Sequence, residues 1–326
     1  MITMKKGASI TGINVMNTLV KNNFEGTITL LEEHDTFPYN PYKLSKEWML
    51  DLEKTTPPLL KKETYYENHQ IDLRLNTEVL DFDPEQKEVR LNDGSTLSYD
   101  VLVLSMGSKL NILNEMAVNL RYLRSFNSAL EIKTLAKTAK NITLIGGGFI
   151  SLELASSFSQ LHKNVTVLIR DTKPLEKVFG SKVADYILKM HESHGVNFIT
   201  EDEAETFEKE DDMITRIITK NKRVIDTDLV IAAIGVRPNL NFKQKDLGTH
   251  DLIDVNTYQE TKFKDVYAGG DITRFPYLDE MIHVDHWEVA YHAGIHIAKN
   301  ILSDKKVPND IIPYFWSDQY DQTFEY

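Results

Sequence analysis

Residues 141–158, NITLIGGGFISLELASSF, constrain this chain more than any other stretch. The opening NITLI is apolar and rich in β-branched residues, which reads as a buried parallel strand. It runs into Gly146, Gly147 and Gly148, and apolar residues then recur at helical spacing in Phe149, Ile150, Leu152, Leu154, Ala155 and Phe158. Strand, glycine turn and helix in that order form the context in which a dinucleotide is bound. Gly146 permits the tight turn, and Gly148 lets the backbone approach a pyrophosphate. The helix start offers unpaired N–H groups and the positive end of the helix dipole to that anion. The third motif position is Ser151, small enough for close helix–strand packing. A three-glycine turn is also an ordinary strand–helix connection, so the rest of the chain has to decide.

A second unit of the same design lies at the start. Gly7, Ser9 and Gly12 occupy motif positions, and Ile13, Met16, Leu19 and Val20 share a helical face. TITLL at 27–31 reads as the next strand, ending on Glu32 and Glu33, where an acidic residue would hydrogen-bond an adenosine ribose. Its weakness is in front: MITMKK stands where a buried apolar strand is expected, although Ile2 and Met4 alternate as a short strand would. The bland alternative is an ordinary helix after a disordered start.

Past the central helix, the strand at 165–169 ends on Ile169 and Arg170, where an NAD site would place its acidic ribose ligand. Arginine there, with Lys173 and Lys177 nearby, suits a 2′-phosphate, so NADPH is favoured over NADH; the alternative is that Arg170 is a solvated strand end. Further strands are expected at 73–80, 88–91, 101–104, 196–200, 229–234 before Gly235, and 265–271, with helices at 181–194 and 284–301. The acidic run 201–212 reads as a solvated hairpin face rather than a cation site. Two glycine-turn units, the second inserted between halves of the first, predict an α/β chain of two nested doubly wound, Rossmann-like domains.

With 326 residues there is room for two such domains. The net charge of −12 argues against nucleic acid or an anionic membrane as partner, since both demand a basic face. No apolar run reaches the roughly 18 residues that span a bilayer, and MITMKKGAS lacks the apolar core of a signal peptide, so the cytoplasm is the expected compartment. The chain has no cysteine, which excludes thiolate catalysis, disulfide relays and cysteine-ligated metal or iron–sulfur centres within it.

The strings GASITG, ITLLEEHDTFPYNPYKLSK, LSYDVLVLSMGS, ITLIGGGFISLELA, LVIAAIGVRPN, VYAGGDITRFP, HVDHWEVAYHAG and PYFWSDQY occur in this order over nearly the whole chain. Together they resemble the FAD-dependent pyridine-nucleotide oxidoreductases of the ferredoxin-reductase type. That resemblance implies an FAD domain in two halves (1–110 and 236–312), an inserted NAD(P) domain (111–235), and the start of a C-terminal α+β domain (313–326) that the chain stops short of. It implies that Gly7, Ser9 and Gly12 cradle the FAD pyrophosphate, that Glu32 or Glu33 holds the ribose, and that Gly107, Gly270 and Asp271 line the flavin dinucleotide. Lys46 would sit beside flavin N5 paired with Glu153; Trp287 and Glu288 would lie near flavin and nicotinamide; Gly146, Gly148, Ser151, Arg170 and Gly235 would hold NAD(P)H. The implied activity passes electrons from NAD(P)H through FAD to a small redox protein, ferredoxin-like or rubredoxin-like, or to a quinone.

Several positions depart from that pattern. The family's arginine and paired prolines before LSK are replaced by Pro41, Tyr42 and Lys43, and Ser105, Met106 and Gly107 stand for ATG, with loss of a hydroxyl near FAD. Without the C-terminal domain, Tyr314, Phe315, Trp316, Tyr320 and Phe324 are expected to lack cover, a liability for pairing into a homodimer. These departures leave a competing reading, a degenerate, non-catalytic NAD(P)- or FAD-binding protein. No metal site is expected: His283, Asp285 and His286 belong to the HWE region, and His191 and His194 read as an exposed helical face. From the residues alone, Lys46 and Glu153 pass for a surface ion pair, and Asp271 for the cap of a following helix.

Overall fold

The computed structural model describes residues 2–5, 9–240, 247–249 and 251–326, the first four as backbone. Gly7, a proposed pyrophosphate ligand, lies outside the described residues. The chain forms two units, one of residues 1–40, 59–109 and 238–315, the other of 41–58, 110–237 and 316–326.

In the first unit, five parallel strands lie in the order Asp72–Arg74, Ile28–Leu31, Ile2–Lys5, Val101–Leu104, Val266–Ala268. The chain start is thus a strand at the sheet's centre, with Ile2 opposite Ile28 on one side and Val101 on the other. Four residues suffice because apolar neighbours complete both ladders, and the reading of a disordered start fails. Period-two alternation divides the core: Leu102 and Leu104 enter one cluster with Val79, Phe82 and Val89, while Val103 enters another with Ile13, Met16 and Leu19. Residues expected as one strand at 73–80 form two, ending at Arg74 and restarting at Val79, because Asn76 takes a left-handed turn with φ of 51°.

The Ile10–Lys21 helix packs on the Trp287–Leu302 helix. Their approach is close enough that a Cβ on Gly294 would meet the Thr11 carbonyl oxygen at 2.3 Å. The Thr11 hydroxyl donates to the Ala290 carbonyl at 2.9 Å.

The second unit carries a parallel sheet in the order Asn197–Ile199, Asn164–Leu168, Asn141–Ile145, Leu229–Ala232, Leu120–Arg121. The acidic run falls on Ala204–Glu210 of a three-stranded antiparallel sheet, largely exposed as a solvated face should be. The helix expected from 181 spans Glu176–Ser193, with an added first turn broken at Gly180, φ 74°. Among the described residues, no helix is long and apolar enough to cross a membrane.

The units differ from the expected domains at two segments. Residues 41–58 belong with the second unit, where the Glu47–Leu50 helix buries Trp48 edge-on to Phe126 at 5.5 Å. Lys133, itself buried, donates to the carbonyls of Asp51 and Lys54 at 2.6 and 2.9 Å. The last eleven residues also join this unit, as a hairpin of Trp316–Gln319 and Gln322–Glu325.

That hairpin overturns two expectations. Three of the terminal aromatics are packed against the chain itself, whereas Tyr314 is exposed as expected: Trp316 meets Tyr42 at 5.6 Å, Phe324 meets Phe179 at 6.2 Å, and Tyr320 stacks on His194 at 3.7 Å. In the first unit, Phe315 is buried and stacks on His286 at 3.9 Å. His191 is not on an exposed face but fully buried, between Gln319 Oε1 at 2.9 Å and the Tyr320 hydroxyl at 3.1 Å. Helical spacing showed which face His191 shares, not that a hairpin over a hundred residues later would cover it.

Candidate functional site

In the first unit, Ser9 caps its helix by accepting from the Gly12 N–H at 3.3 Å, and no acidic residue stands in the first turn to repel an anion. Glu32, buried at the end of the neighbouring strand, accepts the His34 N–H at 3.0 Å; Glu33 lies beside the His34 ring at 3.4 Å. Asp271 accepts the Ser108 hydroxyl at 2.9 Å and is followed by the strand Thr273–Tyr277, so it does not cap a helix. Gly270 has φ of 81°, and a Cβ there would meet the Thr11 hydroxyl at 2.9 Å, which brings the Asp271 turn against the first helical turn. Gly107 gives its carbonyl to the Asn239 N–H at 3.0 Å. At the departure 105–107, Ser105 is buried and its Oγ has no partner among the described residues. Trp287 opens the last long helix and stacks on Tyr291 at 5.0 Å, with Glu288 beside His292 at 3.4 Å. A helix start that offers N–H donors, a carboxylate at the end of the neighbouring strand and a second carboxylate after a glycine turn are groups that suit a flavin dinucleotide, so these residues fit FAD.

In the second unit, Gly146 has φ of 117°, and a Cβ on it would stand 2.3 Å from the Ala233 carbonyl oxygen. Gly148 differs: it is the helix N-cap, its φ is −84°, and nothing lies within 4 Å of where its Cβ would be. No side chain caps the first turn, so its amides are left for an anion such as a pyrophosphate. Ser151 is fully buried, and its hydroxyl has no partner among the described residues. Gly235, with φ of 94°, accepts the Asn111 N–H at 3.0 Å. Arg170 is exposed and makes no ion pair among the described residues, whereas Lys173 is held by Asp185 at 2.9 Å and Lys177 by Asp171 at 2.7 Å.

The same unit brings Lys46 and Glu153 together, 3.4 Å apart, with each side chain only 9% exposed. This is no surface ion pair. Glu153 lies on the buried side of the Phe149–Gln160 helix, where Ser45 Oγ donates to one carboxylate oxygen at 2.5 Å and Ser317 Oγ to the other at 2.8 Å. Burial pushes the Glu153 carboxyl up; Lys46, Ser45 and Ser317 pull against it. Lys46 has a shorter bond to Asp318 of the hairpin, 2.9 Å from Nζ to Oδ2. Burial alone would raise Asp318, but hydrogen bonds from Lys46, Thr323 and Trp316 hold it below the ordinary aspartate value. Sequence reasoning missed Ser45, Ser317 and Asp318. Ser45 was legible beside Lys46 in LSK, but the hairpin residues carried no spacing that pointed to a site 160 residues away. Among the described residues no cluster of His, Asp or Glu could hold a metal ion.

Two units, each with a parallel sheet and a helix start without acidic residues in its first turn, have the architecture of dinucleotide-binding domains. The profile of the pyridine nucleotide-disulphide oxidoreductase family matches residues 7–294, and the chain belongs to that family. It is 30% identical over 321 residues to the ferredoxin–NAD(+) reductase component of the 3-phenylpropionate/cinnamic acid dioxygenase of Photorhabdus laumondii, covering 96% of this chain and 80% of that one. It is 26% identical to human apoptosis-inducing factor 3, spanning 54% of that protein. The structure of the covalent putidaredoxin reductase–putidaredoxin complex superposes with a TM-score of 0.93 at 28% identity, covering 99% of this chain and 80% of the other. The chain is accordingly an oxidoreductase of this family, whose cofactors are FAD and a nicotinamide nucleotide. Having no cysteine, it cannot form the disulphide of the family's description.

Proposed function

We propose that this chain takes electrons from NAD(P)H and delivers them to a small ferredoxin-like or rubredoxin-like redox protein. The observation that carries the reading is the pair of dinucleotide-binding units, the second of which holds a lysine–carboxylate cluster, in a chain without cysteine. Relatives named as ferredoxin–NAD(+) reductase components support it. FAD would take up a hydride and release its electrons singly, chemistry that belongs to the cofactor. Ser9 and the first turn of its helix would hold the FAD pyrophosphate and Glu32 its ribose, while Gly148 and Ser151 would hold that of the nicotinamide nucleotide. Lys46 supplies a buried positive charge that favours a reduced, anionic partner, and Asp318 and Glu153 lie within 2.9 and 3.4 Å of its Nζ. Arg170, the cation left uncommitted near the ribose position, favours a 2′-phosphate and hence NADPH. A quinone is the alternative acceptor, and the cytoplasm, rich in nicotinamide nucleotides, is the compartment that suits a chain of this composition. A homodimer remains part of the proposal, with Tyr314 the exposed member of the terminal aromatics.

The test is the visible spectrum of the purified full chain, before and after anaerobic NADPH and NADH, followed by a small ferredoxin. A flavin band that bleaches with a nicotinamide nucleotide and returns on adding oxidised ferredoxin is expected. A colourless protein that stays colourless after incubation with FAD overturns the reading in favour of a non-catalytic binding protein.

A further inference from the structure

The buried cluster holds one cation and two carboxylates. Lys46 Nζ lies 2.9 Å from Asp318 and 3.4 Å from Glu153, so its stronger bond goes to the hairpin. Asp318 is the more exposed acid, at 41%, and has help from the Thr323 hydroxyl at 2.8 Å and Trp316 Nε1 at 3.1 Å. Glu153 is the buried one, and its two oxygens face hydroxyls, Ser45 and Ser317. Hydroxyls rotate: each can donate to a carboxylate or accept from a carboxylic acid. A chain of neutral groups backs this pocket, with Gln319 Nε2 donating to Ser317 Oγ at 3.1 Å and Gln319 Oε1 taking the Nε2–H of buried His191. With both acids ionised, the cluster carries an uncompensated negative charge on its most buried member, which burial strongly disfavours.

We propose that Asp318, not Glu153, is the counter-ion that positions Lys46, and that Glu153 is the member of the cluster that holds a proton, shared with Ser45. Among the described residues, the charged group facing Glu153 is Lys46, from segment 41–58, with the hydroxyls of Ser45 and Ser317 on its oxygens, and Asp318 of the hairpin meets it through Lys46. Glu153 neutral leaves Lys46 and Asp318 as a balanced pair. Its raised proton affinity agrees with this arrangement. The assignment stands on the geometry of the second unit and does not rest on the electron acceptor.

Infrared difference spectroscopy on the FAD-loaded full chain tests it at about pH 6, above the ordinary glutamate value of about 4.3. A protonated-carboxyl stretch is expected in the wild type and absent in Glu153→Gln. Asp318→Asn is isosteric and keeps an acceptor for Thr323. It should turn Lys46 toward Glu153, lower the pH at which the band is lost by at least tenfold in proton concentration, and be rescued by Asp318→Glu. The 15N shift of the Lys46 ammonium in the wild type should follow the low-pH titration of Asp318, a readout independent of any variant's folding. No protonated band in the wild type at that pH, or a band and ammonium shift indifferent to Asp318, overturns the proposal; a merely structural Asp318 would change melting temperature without moving either signal.

Discussion

The two units achieve close packing beside their first helix by different means. In the first unit the space-limited contact is between helices, where Gly294 lets the last long helix touch the Thr11 backbone. In the second it is between turn and sheet, where Gly146 lies against Ala233. The helix backing differs as well. Apolar residues of the 10–21 helix, Ile13, Val15, Met16 and Leu19, are buried with the sheet. The 149–160 helix buries Ser156, Ser157 and Glu153 as well as its apolar side. Ser157 donates to the Ser45 carbonyl at 2.7 Å, and Ser156 accepts the Tyr320 N–H at 2.7 Å. Both helices bury polar groups that reach distant segments, Thr11 to the Ala290 carbonyl in the first, but only the second buries a carboxylate, Glu153. A helix that buries an ionisable group gains a sensitivity to pH that hydroxyls alone do not give.

Gly146→Ala should break the second unit alone. Its φ of 117° and the 2.3 Å approach to Ala233 leave a side chain nowhere to go, a cost of roughly 2–4 kcal/mol in urea unfolding. Nicotinamide-nucleotide binding, followed by calorimetry, should be lost while FAD absorbance persists. Gly294→Ala is the mirror experiment: overpacking against Thr11 should cost about 2 kcal/mol and release FAD while nucleotide binding survives. If either variant loses both ligands, the two units are not independent.

The pH dependence sharpens the contrast. Burial lowers His191 from 6.5 to about 4, so the unfolded chain binds the proton that the folded one refuses. Stability from this group is fully present above the unfolded value of 6.5. It falls as pH drops toward about 4, by about 3 kcal/mol in total. His191→Phe should flatten that slope in denaturant titrations over this range; an unchanged slope would place the acid sensitivity elsewhere. The smallest effect on the fold is expected from Gly148→Ala, where φ is −84° and no atom lies within 4 Å. Unfolding should move by less than about 0.5 kcal/mol, yet affinity for the nicotinamide nucleotide should fall about tenfold, because the added methyl occupies space the pyrophosphate needs.

Local pattern made much of this protein legible. The strand, turn and helix at 141–158 appear as read, since strand, glycine turn and amphipathic helix are encoded within a few residues of one another. Gly146 is confined by its own backbone, as the motif required. The chain start was harder to read because a short central strand takes its partners from 28–31 and 101–104, and its own composition says little about them. Ser151 needed only to be small, and it is fully buried.

By itself, the sequence determined the α/β alternation, the two nested units, the absence of thiol chemistry, and the family. Each follows from residue identity or short-range periodicity, which the chain carries wherever it folds. Only the tertiary structure decided that 41–58 and the terminal hairpin belong with the second unit, that His191 is buried, and that Lys46 is shared between Glu153 and Asp318. The reason is physical. A buried charge must be compensated, and its compensation comes from whatever groups the packed chain brings within hydrogen-bonding reach, not from those adjacent in sequence.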